Sequence, residues 1–477
     1  MYKQNSSVFL SLPYKHYQKI TEGKTNPHIE VFLSIKTFTK GGVSPMKSIS
    51  FKLDENKVVN TSAWLISLIQ FANKLNFFDA FRFFSLKMKS VSYTNLNRLQ
   101  TLIASIVMGC NYTNDINEKL VPDVAAAKLL EMDKFPDQSQ INRFLNRFDE
   151  TNIDQLEFIH HNLFMENALA LSSTGPVIVD FDMSGLVAGG RTYELAEKGY
   201  FPRKRGQKGY QLSAAFVENT SETVSMFLDP GNTSCSSRFE DLLKATTLKF
   251  NDHLTKDNLI IRADSGYGSF ENIQLLKATG TKFVVKGYST QQSKNLAKSI
   301  QEHQWQEINI QVHVAEISVS TDLRIIVCEF IGKDGQIKYS HLLTNIKADE
   351  MGTVELFHFY NKRQTIEAFF KTCKEIYGIK NLRTSKFHGI YGFLWLVFIT
   401  HNLIALMKNT TFSSSKIGNM GIKTLVKKLG NITASVIEFK DSIEIILPSL
   451  SELARLFVKA LQPSYVQLSL YDLLDAA

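Results

Sequence analysis

The sequence holds only four cysteines in 477 residues: Cys110, Cys235, Cys328 and Cys373. No two have the spacing of a C-x2-C knuckle, which argues against a zinc ribbon. So few thiols suit a reducing compartment and exclude a disulfide scaffold. Long apolar runs are equally rare. The opening residues, MYKQNSSVFLSLPYKHYQKI, contain no apolar stretch of roughly 7–15 residues of the secretory kind. Only 390–407, IYGFLWLVFITHNLIALM, approaches membrane-spanning length, and His401 and Asn402 interrupt it. It reads as a fully buried core helix. No histidines form an H-x-x-x-H pair, and Gly266-x-Gly268 lacks the third glycine of a dinucleotide loop. What remains is a globular composition, 44% hydrophobic and 21% charged, with length for about two to four domains.

The net charge is +8, and its placement says more than its size. Residues 191–208 carry Arg191, Lys198, Arg203, Lys204, Arg205 and Lys208 against Glu194 and Glu197. Residues 362–386 carry Lys362, Arg363, Lys371, Lys374, Lys380, Arg383 and Lys386 against Glu367 and Glu375. The rest of the chain is close to neutral. A positive field concentrated in this way attracts a polyanion such as nucleic acid.

The hydrophobic period divides the chain. Residues 1–60 are irregular. Residues 61–172 follow a helical period, with helices expected over Ser62–Phe84, Asn95–Met108 and Asn152–Leu171, and with Asp123 and Asp137 as N-caps. After Gly175 the pattern turns to strands. PVIVDFDMSGLV, Gly209–Val217, Thr223–Leu228, Asn258–Ala263 and Lys282–Lys286 alternate with helices at Ser237–Leu248 and Phe270–Lys277. Residues 288–345 read as a β-rich insertion with a turn at Lys333-Asp334-Gly335. Helices resume over Leu356–Tyr377 and Gly389–Lys408. A hairpin (Val436–Leu447) and a helix (Leu450–Leu461) close the chain.

Three acidic positions stand out. Asp180 and Asp182 lie two apart on one strand, so both side chains face the same way. Asp264 ends a second buried strand, where α/β sheets gather their sites. On the helix expected at 356–377, Tyr360, Arg363, Glu367 and Lys374 fall within a stripe roughly 60° wide and about 21 Å long, enough to follow several phosphates. Ile366, Phe369, Phe370, Cys373 and Tyr377 form an apolar face beside it. Carboxylates from two strands and a helix can hold two Mg²⁺ ions, which favour hard oxygen ligands and keep waters for a phosphate to replace. Such a pair, about 3.5–4 Å apart, supports phosphodiester hydrolysis or transesterification without a nucleophilic serine or cysteine.

These residues resemble the DDE transposases of bacterial insertion sequences. The closest likeness is to the superfamily with a Y-(2)-R-(3)-E-(6)-K signature, which reads here Y360-NK-R363-QTI-E367-AFFKTC-K374. IIRADSGYGS resembles the family's second-aspartate strand and VDFDMSG its first; GCNYTNDINEKL and SQINRFLNRF resemble its N-terminal helical region. The likeness covers about residues 62–408. It implies an α/β fold: a ribonuclease-H-like mixed-sheet core (173–287 and 346–410), a β-strand insertion (288–345), a helical DNA-binding domain (61–172) and a C-terminal region (411–477) suited to dimerisation.

By motif matching, the resemblance implies Asp264 and Glu367 as the second and third catalytic, metal-binding acids. It selects Asp182, with Ser184, as the first; Asp180 is the alternative. Tyr360, Arg363 and Lys374 are implied to contact transposon-end phosphates. The basic run Arg203–Lys208, with Arg203, Lys204 and Arg205, has two readings: a contact to flanking DNA and a solvated loop. Trp305 lies in the insertion, where related enzymes stack an extruded base; a core or surface tryptophan is the competing reading. The implied cofactor is two Mg²⁺ ions, with Mn²⁺ as substitute. The implied partners are double-stranded terminal repeats and target DNA, bound by a homodimer, in the bacterial cytoplasm at the nucleoid, with no membrane involved. The implied reaction is cut-and-paste: hydrolysis at each element end, then attack by the freed 3′-OH. Two alternatives remain from the sequence: a catalytically silent, host-adopted DNA-binding protein, and a metal-dependent nuclease without strand transfer.

Overall fold

The computed structural model describes residues 31–33, 49–51 and 59–461, apart from 89–91, 191, 203, 205, 321, 439–442 and 449. Arg203 and Arg205, expected at DNA, lie outside the described residues. Residues 1–58 form a unit of their own. Where the sequence suggested only irregular chain, β1 (Val31–Leu33) pairs antiparallel with β2 (Ile49–Phe51).

The second unit opens with β3 (Val59–Ser62) and α1 (Ala63–Lys74), where the Ser62 hydroxyl caps the helix by accepting from the Leu65 N–H. The helix expected to reach Phe84 stops ten residues short. Asn76 adopts the left-handed conformation and Phe77–Phe83 winds into a 3-10 turn, because a short amide side chain tolerates positive φ. Next come α2 (Asn95–Val107), α3 (Asp115–Lys119), α4 (Val124–Lys128), α5 (Gln138–Leu145) and α6 (Glu150–Asn167). Asp123 and Asp137 cap α4 and α5, accepting from Ala126 (3.0 Å) and Gln140 (2.9 Å).

The sheet begins at β4 (Val177–Val187) and continues through β5 (Glu197–Lys198), β6 (Lys208–Val217) and β7 (Thr223–Pro230). Then α7 (Phe239–Phe250), β8 (Leu259–Ala263), α8 (Phe270–Thr279) and β9 (Lys282–Lys286) alternate. The order β7-β6-β4-β8-β9 is antiparallel over its first three strands and parallel from β4 onward. That is the ribonuclease-H-like arrangement.

After α9 (Thr290–Lys298), the strands β10 (Gln306–Asn309), β11 (Val312–Ser320), β12 (Leu323–Ile331) and β13 (Ile337–Thr344) follow. They do not form a separate sheet. β13 pairs with β9, so the insertion extends the central sheet in the order β10-β11-β12-β13-β9. Trp305 packs with Ile325 and Val327 beneath α9, as a partly buried core residue.

The expected helix at 356–377 is two helices, α10 (Thr353–Asn361) and α11 (Gln364–Glu375). Then come α12 (Phe387–Thr410), α13 (Ile422–Leu429), β14 (Thr433–Glu438), β15 (Ile443–Ile446) and α14 (Glu452–Leu461). β14 pairs with both β15 and β3, placing Thr433 opposite Ser62. α12 is long and apolar enough to cross a membrane, yet 89% of its apolar window is buried inside the protein. It is the central post of the largest apolar core, which gathers side chains from α1, α2, α5, α6, α11 and α12.

Strand alternation sets the chemistry of the two sheet faces. On β4, Val177, Val179 and Phe181 enter the apolar core with Phe239 of α7 and Ile273 of α8. The intervening Asp180, Asp182 and Ser184 meet polar partners on and just before α11.

Candidate active site

Asp180 is fully buried and committed. Arg262, its register partner on β8, grips it with Nε (2.8 Å to Oδ1) and Nη2 (2.9 Å to Oδ2). The Thr365 hydroxyl also donates to it, at 3.2 Å. The same guanidinium reaches Glu218 (3.0 Å) and the Phe359 carbonyl (2.7 Å). The bond to Phe359 ties α10 to the sheet. Asp180 therefore has no lone pair directed at solvent and serves as a structural anchor.

Asp182, two residues on, is half-buried and lightly held. Its Oδ1 accepts from the Met183 N–H at 2.9 Å and lies 3.4 Å from Arg363 Nη2. Burial pushes its pKa up to about 6; Arg363 opposes the rise, while the charges of Asp264 and Glu367 add to it. Asp264 follows β8 directly, and its Oδ1 accepts from the Gly266 N–H at 3.0 Å. Glu367 is exposed on the first turn of α11. Asp264 and Glu367 border one open cleft of about 690 Å³, with Ser265, Tyr360, Arg363 and Gln364 in its walls. Asp182 lies behind Arg363, within electrostatic reach of both acids.

Arg363 explains the broken helix. Its N–H bonds to the Tyr360 carbonyl three residues back, and its backbone leaves helical geometry. This turns the guanidinium inward, where Nη2 donates to the Phe181 carbonyl at 2.9 Å. Burial alone would lower its pKa, but Asp182, Tyr360, Asp264 and Asp180 together hold it above the ordinary value. Its Nε is buried and has no partner among the described residues. Tyr360 is pushed up to about 12 by burial. Lys374 donates to Ser184 Oγ at 2.7 Å, and burial lowers its pKa. The stripe expected on one helix is thus carried by two helices and the turn between them. Lys204 lies close enough to lower the Lys374 pKa by charge.

Two lysines of the cleft were not singled out in the sequence as site residues: Lys286 and Lys371. Lys286 ends β9, the strand beside that of Asp264, and the strand-end rule applied to Asp264 would have found it. Gly268 brings the two loops together, since a Cβ there would stand 2.2 Å from the Lys286 carbonyl. Lys371 lies one helical turn beyond Glu367 and was visible as part of a basic run.

Among the described residues, no three His, Cys, Asp or Glu side chains stand close enough to form a ready-made metal cage. The donors nevertheless suit a hard divalent cation. They are carboxylates only, they influence one another's charge, and the most buried is held protonated to unusually high pH. A raised carboxyl pKa also costs stability once the group ionises. Asp182 contributes its full stability below about pH 4, and that contribution is lost as pH rises through about 6. Asp182→Asn should melt with the parent at pH 4 and be more stable at pH 8, by up to about 3 kcal/mol. Thermal unfolding at the two pH values measures this, and equal shifts at both would refute it.

Two carboxylates in a cleft edged with cations, with a third behind Arg363, on a ribonuclease-H-like sheet, are the arrangement expected of a DDE-type phosphoryl-transfer enzyme. Residues 62–465 match the family described as Transposase DDE domain group 1, and the chain belongs to that family. It is a DNA transposase, an enzyme that cuts and joins DNA, of a class that uses divalent metal ions. Among solved structures it is similar to the piggyBac transposase synaptic complex with hairpin DNA. That likeness has 14% identity and a TM-score of 0.44, covering 85% of this chain and 84% of that one. It is also similar to the Mos1 transposase paired-end complex with left transposon end. Here identity is 13% and the TM-score 0.17, covering 42% of this chain and 60% of that one. A search of curated proteins finds no match.

Proposed function

We propose that the chain excises and reinserts an insertion sequence by a cut-and-paste route, using Asp182, Asp264 and Glu367 as its catalytic acids. The observation that carries this reading is the shared charge environment of these three carboxylates beside the cleft. Asp182 is preferred to Asp180 because Arg262 already occupies both Asp180 oxygens. The three acids would hold two Mg²⁺ ions, or Mn²⁺ in their place, which supply Lewis-acid activation of the attacking and leaving oxygens.

The chain's own groups position the strand. Arg363 lines the cleft beside the acids, and its guanidinium would hold a phosphate there by charge. Lys286 and Lys371 flank the cleft and add charge without base specificity. Lys374, bonded to Ser184 and partly desolvated, would have its charged form favoured further by an approaching phosphate. Tyr360 stays protonated at any working pH and offers a hydroxyl donor. The substrates in this reading are duplex terminal repeats and target DNA, joined by a homodimer at the nucleoid.

The test uses purified protein, labelled duplex from the DNA flanking the gene, and Mg²⁺ or Mn²⁺. Nicks at the element ends followed by joined products are expected. Cutting without joining would select a plain nuclease. Binding without cutting would select a silent DNA-binding protein.

A further inference from the structure

Residues 410–437 contain four lysines, Lys416, Lys423, Lys427 and Lys428, and no aspartate or glutamate. Most of this charge sits on α13, a strongly two-faced helix. Ile422, Leu425, Val426 and Leu429 are buried in the main core. Lys427 and Lys428 are exposed, and Lys423 is half-exposed. The apolar side is therefore satisfied, while the basic side faces solvent.

The basic side is also connected to the cleft. Lys423 forms an ion pair with Glu375, at the end of α11. That carboxyl is held below its ordinary range by Lys423, and Lys371 and Lys380 add to the effect. Lys371 is itself a cleft residue. Lys371, Lys380 and Lys423 thus surround a single acid, and Lys427 and Lys428 continue outward from them. An isolated charge run is usually a solvated surface. A run that starts in the cleft wall and holds Glu375 in an ion pair is a track for a polyanion.

We infer that Lys423, Lys427 and Lys428 of α13 bind the phosphate backbone of duplex DNA outside the cleft, continuing the path of Lys371 and Lys380. This rests on the transposase reading above and assigns a second contact surface to the same substrate. The contact is charge on charge, so it is independent of base sequence and steeply dependent on salt.

The test is equilibrium binding of the full chain to a fluorescent random-sequence duplex of about 50 base pairs, between about 50 and 200 mM KCl. The substitution set K423Q/K427Q/K428Q should lower the slope of log affinity against log salt by about 2–3 and weaken binding roughly ten- to hundred-fold at about 100 mM. K427E/K428E leaves the Lys423–Glu375 pair intact and should shift binding the same way. A charge-matched control on exposed lysines elsewhere, K294Q/K298Q/K333Q, should keep the parent slope. A parent slope in the α13 variants, or an equal loss in the control, overturns the inference while leaving the cleft assignment standing. A parent protein that binds no duplex overturns both.

Discussion

Asp264→Asn and Glu367→Gln should each reduce strand cleavage by about three orders of magnitude or more, with duplex binding changed only a few-fold. A thousand-fold loss corresponds to about 4 kcal/mol of transition-state stabilisation, a usual magnitude for removing one charge from a metal-assisted phosphoryl-transfer site. Both substitutions preserve shape. An asparagine at 264 keeps an oxygen to accept from the Gly266 N–H, so the loop after β8 retains its bond. Glu367 is exposed, so glutamine there leaves packing unchanged. In the proposed reading binding is carried by cations such as Lys286 and Lys371, which neither substitution touches. The measurement pairs a denaturing gel of end-labelled DNA with a binding titration. Variants that cut as well as the parent would end the assignment of these acids.

Arg262→Ala should destabilise the fold by about 3–5 kcal/mol, the usual cost of leaving a buried charge without its partner. Arg262 and Asp180 are both fully buried, and the guanidinium also serves Glu218 and the Phe359 carbonyl. Removing it strands two carboxylates and one backbone carbonyl together. The pair is an anchor and not a source of net stability, so replacing both members with apolar residues of similar size should recover much of the loss. The expected order of melting temperatures is therefore parent, then the Asp180→Leu/Arg262→Met double variant, then Arg262→Ala. If Arg262→Ala melts with the parent, α10 is held by something other than this network.

Much of the site was legible in one dimension because it depends on local regularities. Asp264 was visible as an acid closing a short apolar strand, and Glu367 through a fixed spacing to Tyr360, Arg363 and Lys374. The strand composition around Asp180 and Asp182 placed both on one face. Their different partners were not legible. They depend on Arg262 standing opposite Asp180 in a parallel register, a fact of sheet assembly that no local pattern encodes. The break before α11 was hidden for a related reason. No glycine or proline marks it; the turn forms because Arg363 is drawn toward Asp182 and the Phe181 carbonyl. Residues 288–345 were recognisable as β-rich, but only the pairing of β13 with β9 reveals that they lengthen the central sheet.

The small sheet that joins β14 to β3 has a consequence for biosynthesis. A ribosome releases β3 and α1 early, but the strand that completes their sheet emerges only at Thr433–Glu438. Until then Trp64, Leu65 and Leu68 lack part of the apolar enclosure that Leu425, Ile432 and Ala434 supply. A product cut short between α11 and β14 would keep Asp182, Asp264 and Glu367 yet present an unfinished core to cellular proteases. The first strand of this unit is thus completed by one of its last.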